Sequence, residues 1–464
     1  MNGAGTGART AAQQALTATL RRKYPLDLAL DEAIAAHALA SRDGGFARAI
    51  ANETMRRFGQ LEDLVRRFVP RPPPPHRAGP TLEILLAAAC ELLFLDVPPH
   101  AAVDGANRLA ASDPKAVHFK PLINAALRRI AREGQRIVDA QEAPRLNTPD
   151  WLWTRWCAAY GEETTRSIAR IHAQTPPLDL HFHCTPAFPP PPQAGEGDRE
   201  AVEGAFALSE GPLRPFGAPP PRFARGRIIL FGDVIRLEHA GNIEELEGFA
   251  EGAFWVQDFA AGLPARLFGN VRGRRVIDLC AAPGGKTAQL AAAGADVTAV
   301  ERDEIRLARL EDNLERLKLD ARIVLADVRD YTPEQLADCV LLDAPCSATG
   351  TIRRHPELPW IKNAADIAAC SDAAAELLDA AAAMVAPGGT LIFVVCSLEP
   401  EEGPEQIAHF QRQHDEFRRE PVTADEIFGL SELITSDGDL RTLPCHLAGE
   451  GGMDGFYAAR LTRS

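Results

Sequence analysis

Residues 275–286 read RVIDLCAAPGGK, and this stretch decides the fold of the C-terminal half. Arg275–Leu279 has the short β-branched pattern of a buried strand, and Gly284 and Gly285 precede a helical pattern over Thr287–Ala293. The same alternation continues along the chain, with further strands predicted at Asp296–Val300, Arg322–Leu325, Val340–Asp343 and Thr390–Val395. Alternating strands and helices indicate an α/β domain, built on a parallel sheet, over residues 251–464.

The N-terminal half has other patterns. Apolar residues recur at three- and four-residue spacing over residues 8–140, which predicts an all-helical domain at 1–145. Residues 146–250 are mixed and predict a small α+β module. Its expected strands are Leu178–His183 and Val234–Leu237, and its Pro/Gly-rich stretches at 186–198 and 211–221 are expected to be loops. We therefore expect a multidomain protein of three parts.

Charge is unevenly distributed along the 464 residues, whose net charge is −14. That total argues against a generic binder of polyanions, yet residues 1–150 carry a net +4 and the remainder −18. A mildly basic N-terminal third suits contact with nucleic acid through one face. The predicted amphipathic helix at 121–138 carries a stripe of basic residues, Arg128, Arg129, Arg132 and Arg136. This stripe either contacts RNA or is a face exposed to water.

Several classes of protein are not expected from this sequence. It has no apolar stretch long enough to span a membrane, and residues 1–20 lack the apolar core of a secretion signal. The nine cysteines are scattered and form no C-x-x-C pair, so no metal site is expected. Reduced thiols in the cytoplasm are the simplest interpretation, and nothing in the sequence points beyond a monomer.

The turn at 278–286 predicts a ligand site, because ligands in open α/β sheets bind beyond the carboxyl ends of the strands. Gly284 and Gly285 allow the backbone to approach a ligand closely, and Glu301 at the end of the next strand can accept both hydroxyls of a ribose. No G-x-G-x-x-G or phosphate-loop spacing is present. S-adenosylmethionine (SAM) fits these features, because it has a ribose and a carboxylate but no phosphate. The alternative is that the segment is only a tight turn between a strand and a helix and binds no ligand.

Two cysteines and an aspartate follow later strands of the same sheet. Asp343 and Cys346 follow one strand, and Cys396 follows another, so all three are expected at the ligand edge. A thiolate can add to C6 of a pyrimidine, which makes C5 electron-rich enough to accept a methyl group. The residues alone do not rank the two cysteines, and buried cysteines that act only as small apolar side chains are the alternative.

Three motifs resemble the Nop/Sun family of RNA cytosine-5 methyltransferases. They are Cys280–Lys286, Leu342–Gly350 followed by RRHPE at 353–357, and Cys396-Ser397 followed by Pro400-Glu401-Glu402. The resemblance implies a Rossmann-like class I SAM-dependent methyltransferase domain. It also implies an N-terminal domain similar to the NusB-type helical RNA-binding fold, with an RRM-like module between the two.

The resemblance also implies roles for single residues. Cys396 is the nucleophile, although the Pro-Cys pair of DNA cytosine-5 methyltransferases would nominate Cys346, which instead assists product release. Asp343 lies beside SAM and hydrogen-bonds the target cytosine, Glu301 holds the ribose, and Asp327 lies near the adenine. The loop along the methionine portion of SAM comprises Cys280, Ala281, Ala282, Pro283, Gly284, Gly285 and Lys286.

Two departures from the family pattern are present. Val395 stands where the family usually has Thr before the nucleophile, and Phe259-Ala260-Ala261 replace small polar residues. The implied activity is methylation of cytosine C5 in 16S ribosomal RNA. The alternatives are the same reaction on transfer RNA, a non-catalytic RNA-binding assembly factor and, more distantly, a DNA methyltransferase; the presence of both cysteines and Asp343 argues against a pure binder.

Overall fold

The computed structural model describes residues 5–182, 228–238 and 241–464. Its first part is helical throughout, which confirms the all-helical N-terminal domain. The helices are α1 (Thr6–Arg22), α2 (Leu26–Ala36), α3 (Ser41–Arg56), α4 (Phe58–Phe68), α5 (Pro75–Ala78), α6 (Thr81–Phe94), α7 (Pro99–Ser112), α8 (Lys120–Asp139), α9 (Ala143–Leu146), α10 (Asp150–Tyr160) and α11 (Glu162–His172).

Helix α6 forms the centre of this bundle, because Leu85, Leu86 and most of its other side chains are buried. Helices α1, α3, α4, α7 and α8 pack around it. Helix α1 is joined to it by a buried ion pair, in which the Arg9 guanidinium lies 2.5 Å from Glu91. Such a pair requires good geometry to offset the cost of removing both charges from water, and Arg9 meets this with three hydrogen bonds to Glu91.

A four-stranded antiparallel sheet follows, in the order β2-β3-β1-β4. Its strands are β1 (Leu178–Phe182), β2 (Ile228–Phe231), β3 (Val234–Leu237) and β4 (Phe254–Val256). Strand β4 lies beyond residue 250, and helices α10 and α11 begin the stretch assigned to the middle module. The division at residues 145 and 250 and the RRM-like character stay predictions. The two Pro/Gly-rich stretches at 186–198 and 211–221 lie outside the described residues.

The C-terminal part is an eight-stranded sheet in the order β10-β12-β9-β8-β5-β6-β7, with β11 paired to β12. Its strands are β5 (Arg275–Leu279), β6 (Asp296–Glu301), β7 (Arg322–Leu325), β8 (Ala337–Asp343), β9 (Val385–Val395), β10 (Phe417–Arg419), β11 (Leu440–Arg441) and β12 (Tyr457–Arg463). Its helices are α12 (Phe259–Arg266), α13 (Gly285–Ala292), α14 (Glu304–Leu317), α15 (Leu358–Ile361), α16 (Ala364–Ala383) and α17 (Pro404–Gln413).

Five of these strands, β5 to β9, are parallel as the sequence predicts, but β10, β11 and β12 add an antiparallel edge. The sheet is therefore mixed rather than parallel throughout. An antiparallel edge is common on such sheets, because a strand there can pair without a crossover helix. Apolar clusters on both faces of the sheet bury residues such as Leu342 and Ile392, as expected for a Rossmann-like domain.

The order of the parallel strands indicates where a ligand can bind. The chain runs from β5 outward through β6 to β7, then crosses to β8 and β9 on the other side. Such a reversal leaves a crevice at the carboxyl ends of the central strands. In this protein the crevice lies where β5 and β8 end, at Leu279 and Asp343.

The helical domain and the C-terminal α/β domain are in direct contact. The Phe58 and Trp360 rings lie 4.7 Å apart, and Lys23 donates to the Trp360 carbonyl at 2.9 Å. Arg56 donates to the Arg353 carbonyl at 3.0 Å. The N-terminal helices thus hold the segment 353–361, which continues from the predicted catalytic loop after β8.

Two further observations concern the described residues only. None of their helices combines the length and the apolar character needed to cross a membrane. Among the same residues, no group of three or more His, Cys, Asp or Glu side chains is arranged to hold a metal ion. The eight cysteines that can be described are all without a disulfide partner.

Candidate active site

A cleft of about 1200 Å³ opens at the carboxyl ends of the central strands. One wall is the loop between β5 and α13, together with Asp278 and Asp343. The opposite wall comes from the helical domain, at the turn between α2 and α3 and at Arg48. The cleft is therefore formed by both domains and is large enough for a nucleoside-sized ligand and part of a polymer.

The loop from Cys280 to Lys286 forms a cradle for a ligand. Gly284 has a φ of 101°, a conformation that favours glycine, and a Cβ there would lie 3.2 Å from the Leu310 side chain. A Cβ on Gly285 would lie 3.3 Å from Gln257. Helix α13 begins at Gly285, so unpaired N–H groups of its first turn favour a carboxylate at this end.

Two buried carboxylates flank the loop. One oxygen of Glu301 accepts hydrogen bonds from the Arg302 and Asp303 N–H groups at 3.0 and 3.1 Å, which fixes the carboxylate at the end of β6. Asp278 accepts a hydrogen bond from the Thr287 hydroxyl at 2.6 Å with one oxygen. Its other oxygen is buried without a hydrogen-bond partner among the described residues. Burial raises the pKa of Asp278 to about 7.

Lys286 and Asp343 form an ion pair at the base of the cleft, with 2.8 Å between Nζ and Oδ2. Burial by itself lowers the pKa of Lys286, but the charge and hydrogen bond of Asp343 outweigh it and the pKa is raised. Lys286 therefore stays charged and holds the Asp343 carboxylate in place. About a third of the Asp343 side chain is exposed, which leaves it accessible to a ligand.

The thiols of Cys346 and Cys396 lie together, with 3.4 Å between their sulfur atoms. They meet because β8 and β9 pair in parallel with Asp343 opposite Val394, so both loops leave the sheet side by side. The hydrogen bond to Cys396, followed by burial, raises the pKa of the Cys346 thiol well above its usual value. Cys346 is thus held as a thiol that can donate to its neighbour.

Cys280 has a different environment. Burial, followed by the charge of Asp343, raises the pKa of its thiol to about 12. A thiol with such a pKa is rarely ionised near neutral pH and is a poor nucleophile. Cys280 therefore contributes backbone to the loop, and the two thiols that lie against each other in this region are those of Cys346 and Cys396.

Comparisons with known proteins agree with this geometry. Residues 267–462 match the family model described as 16S rRNA methyltransferase RsmB/F, and residues 6–132 match the NusB family. Ribosomal RNA small subunit methyltransferase B of Salmonella paratyphi B and that of Salmonella typhi are each 35% identical over 433 residues, or 92% of this chain and 92% of each relative. The chain belongs to the RsmB/F methyltransferase family.

A solved structure shows the same fold over the whole length. The crystal structure of PH0851 superposes with a TM-score of 0.71 at 22% identity and covers 99% of both chains. At that identity the likeness concerns the fold alone. It extends through the helical N-terminal part as well as the RsmB/F methyltransferase domain.

RsmB/F proteins are SAM-dependent, and the residues of this cleft fit that cofactor. The free oxygen of Asp278 is a buried acceptor that suits an ammonium group, and the Gly284–Gly285 cradle leaves room that a Cβ would fill. The second oxygen of Glu301 accepts from the Ala282 N–H at 3.3 Å and lies 3.5 Å from Arg306, so a ribose hydroxyl would share this carboxylate with those donors. The methionine and ribose portions would thus be held by separate elements, the β5–α13 loop and the end of β6.

Affinity for SAM is expected to depend on pH through Asp278. Protonated Asp278 offers no charge to an ammonium group, so SAM binding weakens as pH falls below the pKa of about 7. Between about pH 8 and about pH 6 the dissociation constant is expected to rise about 10-fold, measured by calorimetry. The Asp278→Asn variant should lose this dependence and keep only the titration of SAM itself. A wild-type curve that parallels the Asn variant would contradict the contact.

The structure brings most of the predicted site residues to one edge of the sheet. Ala281–Lys286 and Asp343 line the cleft, while Glu301 lies behind the loop and accepts from the Ala282 N–H at 3.3 Å. Cys346 and Cys396 lie on the loops that follow the paired strands β8 and β9. Asp327 lies at the end of β7, where Arg329 binds it at 2.7 Å and, by hydrogen bonding, lowers its pKa. The individual roles of these residues in SAM binding and catalysis remain predictions.

The four arginines of α8 lie apart from this edge, on the exposed face of their helix. Arg129 covers the Phe68 ring at 4.7 Å, and Arg132 lies 3.8 Å from Glu133. Arg128 and Arg136 have no carboxylate partner among the described residues. Their exposure fits either of the two interpretations that the sequence leaves open.

The two departures from the family pattern have a structural explanation. Val395 is fully buried at the end of β9, in the apolar core of the sheet. Phe259 is buried in the cluster on the other face, while Asp258 caps α12 by accepting from the Ala260 N–H at 2.9 Å. Both apolar positions therefore serve packing.

Sequence reasoning missed a buried network of charges beside the cleft. Asp258 and Asp454 are bridged by Arg353 and Arg354, with 2.7 Å between Arg353 and Asp454 and 2.6 Å between Arg354 and Asp258. Burial alone raises the pKa of Asp258, but the two guanidinium charges outweigh it and lower the pKa. The only sequence signal was the RRHPE motif, which gives no indication of its partners.

Proposed function

We propose that this protein transfers a methyl group from SAM to C5 of a cytosine in 16S ribosomal RNA, through a covalent bond between Cys396 and C6. The observation that carries the proposal is the pair of thiols 3.4 Å apart, on the loops that follow β8 and β9, at the same sheet edge as the predicted SAM loop. A protein that only bound RNA would need neither thiol. The substrate class rests on the 16S rRNA methyltransferases of the family and on the NusB-like domain.

The residues divide the reaction among themselves. Asp343, held by Lys286, positions the cytosine ring by a hydrogen bond. Cys396 loses its thiol proton to solvent, and its sulfur forms a bond to C6 while the π electron pair of the C5–C6 double bond moves toward C5. SAM, when bound, supplies the methyl group on its sulfonium. After transfer, the C5 proton leaves to a base and the bond between Cys396 and C6 breaks.

Cys346 acts in this last step. Its thiol is a hydrogen-bond partner of Cys396, and its raised pKa keeps the proton in place. A donor at that position stabilises the negative charge that develops on the departing sulfur. We infer that Cys346 assists release of the methylated base, whereas Cys396 forms the adduct.

The target cytosine has to leave any stack or pair to reach this cleft. A single assay tests reaction and substrate together. Labelled SAM is incubated with deproteinised small-subunit rRNA or with bulk tRNA, and the nucleosides are analysed by mass spectrometry. Label in rRNA as 5-methylcytosine is the expected result. Label only in tRNA would overturn the substrate, and SAM binding without transfer to any RNA would favour an assembly factor.

We also propose that the protein is a monomer and that it acts in the cytoplasm, where rRNA of a bacterial type is made.

RNA contact by α8 is a separate prediction. Charge reversal of Arg128 and Arg136 to Glu is expected to weaken RNA binding, and to reduce the slope of log K against log salt by about 2. The measurement is filter binding of rRNA at several salt concentrations. Reversal of Arg412 and Arg418, two exposed arginines of the C-terminal domain, changes the total charge equally and serves as the control. Equal effects of the two double variants would favour the alternative, in which the arginines of α8 face water and do not contact RNA.

A further inference from the structure

One buried carboxylate connects the loops that carry the two cysteines. Glu402 accepts two hydrogen bonds from Ser347, one from the N–H at 2.8 Å and one from the hydroxyl at 2.6 Å. It also accepts a hydrogen bond from the hydroxyl of Ser397. Ser347 and Ser397 are the residues directly after Cys346 and Cys396. All three side chains of this bridge are completely buried.

Other hydrogen bonds also join the two loops, including a direct contact of 3.3 Å between the Ser347 and Ser397 hydroxyls. The Gly350 N–H donates to the Cys396 carbonyl at 3.0 Å, and the Leu398 N–H donates to the Thr349 hydroxyl at 3.0 Å. These bonds join neutral groups. The bonds to Glu402 involve a carboxylate, and charge-assisted hydrogen bonds are roughly twice as strong as neutral ones.

The environment of Glu402 suits a structural link. Burial raises its pKa, while the hydrogen bonds from Ser347 and Ser397 act in the opposite direction. Its negative charge also contributes to the raised pKa of Cys346. Removal of the carboxylate would leave the buried Ser347 and Ser397 hydroxyls with only neutral partners, each other at 3.3 Å and, for Ser397, the Thr349 hydroxyl at 3.3 Å. Loss of the stronger bonds to Glu402 is therefore costly.

We propose that Glu402 is a positioning residue that fixes the separation of Cys346 and Cys396 by holding the serine after each of them. The meaning of this separation for catalysis rests on the proposed function, but the separation itself does not. Glu402 touches neither thiol by a hydrogen bond, so it acts through the two loops.

Phenylarsine oxide tests the separation without any RNA or SAM. Its arsenic binds two neighbouring thiols and the two protons leave with the oxygen as water, so its affinity reports how well the pair is held. Glu402→Gln keeps the size of the side chain and removes the charge. We expect it to bind the arsenical at least about 10-fold more weakly than the wild type, the factor that corresponds to one charge-assisted hydrogen bond.

Three further variants make the result specific. Glu405→Gln makes the same chemical change at an exposed position on α17 and should match the wild type. Ser397→Ala removes one arm of the bridge and should weaken binding even if Glu402→Gln does not fold. Cys346→Ala should abolish bridging and so identifies the thiols. Wild-type affinity in folded Glu402→Gln, or in Ser397→Ala, overturns the proposal.

Catalysis supplies the second readout. If positioning matters, Glu402→Gln lowers kcat and leaves KM for RNA and affinity for SAM unchanged, and it increases the fraction of protein covalently bound to RNA. Loss of affinity for both SAM and RNA in this variant would indicate only a damaged fold and would overturn the positioning role. If the wild type methylates no RNA, the proposed function fails. The affinity for phenylarsine oxide still tests whether Glu402 fixes the distance between the two thiols.

Discussion

Replacement of Cys396 by alanine is expected to lower methyl transfer to RNA by more than about 10³-fold, because no covalent bond to C6 can then form. SAM binding should be unchanged, since the predicted cofactor loop lies between β5 and α13 whereas Cys396 follows β9. The measurement is transfer of labelled methyl to rRNA, together with denaturing electrophoresis for a protein–RNA adduct. No adduct is expected with this variant.

A matched control exists in the same domain. Cys370 on α16 is also a partly buried thiol without a disulfide partner, but it lies outside the proposed mechanism. Cys370→Ala should therefore retain activity. If Cys396→Ala methylates RNA at the rate of the wild type, another residue is the nucleophile, and Cys346 would be the first to examine.

The second large effect is expected at Cys346. Its replacement by alanine should leave adduct formation and methyl transfer intact, and slow release of the product by about 10²-fold, the usual contribution of a positioned acid. RNA should then accumulate as a covalent complex with the protein, containing a methylated base. Quantification of the complex before and after proteolysis provides the measurement.

The double variant Cys346→Ala/Cys396→Ala distinguishes the roles. It should form no covalent complex, because the accumulated species depends on Cys396. A Cys346→Ala protein that lacks both adduct and activity would instead make Cys346 the nucleophile. That is the assignment which the Pro-Cys pair suggests by analogy with DNA methyltransferases, and which the residues alone left open.

The local sequence was sufficient for the parallel part of the sheet. Strand β5 and the glycine turn after it are specified by β-branched residues and by the φ of 101° at Gly284. The sequence did not predict that β12 pairs antiparallel with β9. Strand pairing between distant segments depends on which edges remain open after the parallel strands have assembled, and no local pattern records this.

The contacts between domains could not be predicted from the sequence either. Trp360 packs against Phe58, and Trp156 of α10 donates to Glu399 at 2.9 Å. Each contact joins residues hundreds of positions apart. Both hold a segment that continues from one of the cysteine loops, so the N-terminal helices support the site in addition to any role in binding RNA.

The sequence by itself determined which reactive groups are available: a predicted cofactor loop at 278–286, a carboxylate at Glu301, and two cysteines after apolar strands. These follow from residue type and from the periodicity of strand and helix, which are local properties. Only the tertiary structure decided that the two thiols lie 3.4 Å apart and that Glu402 joins their loops. The physical reason is the register of β8 and β9, which pairs Asp343 with Val394 and so brings two distant loops to the same height on the sheet edge.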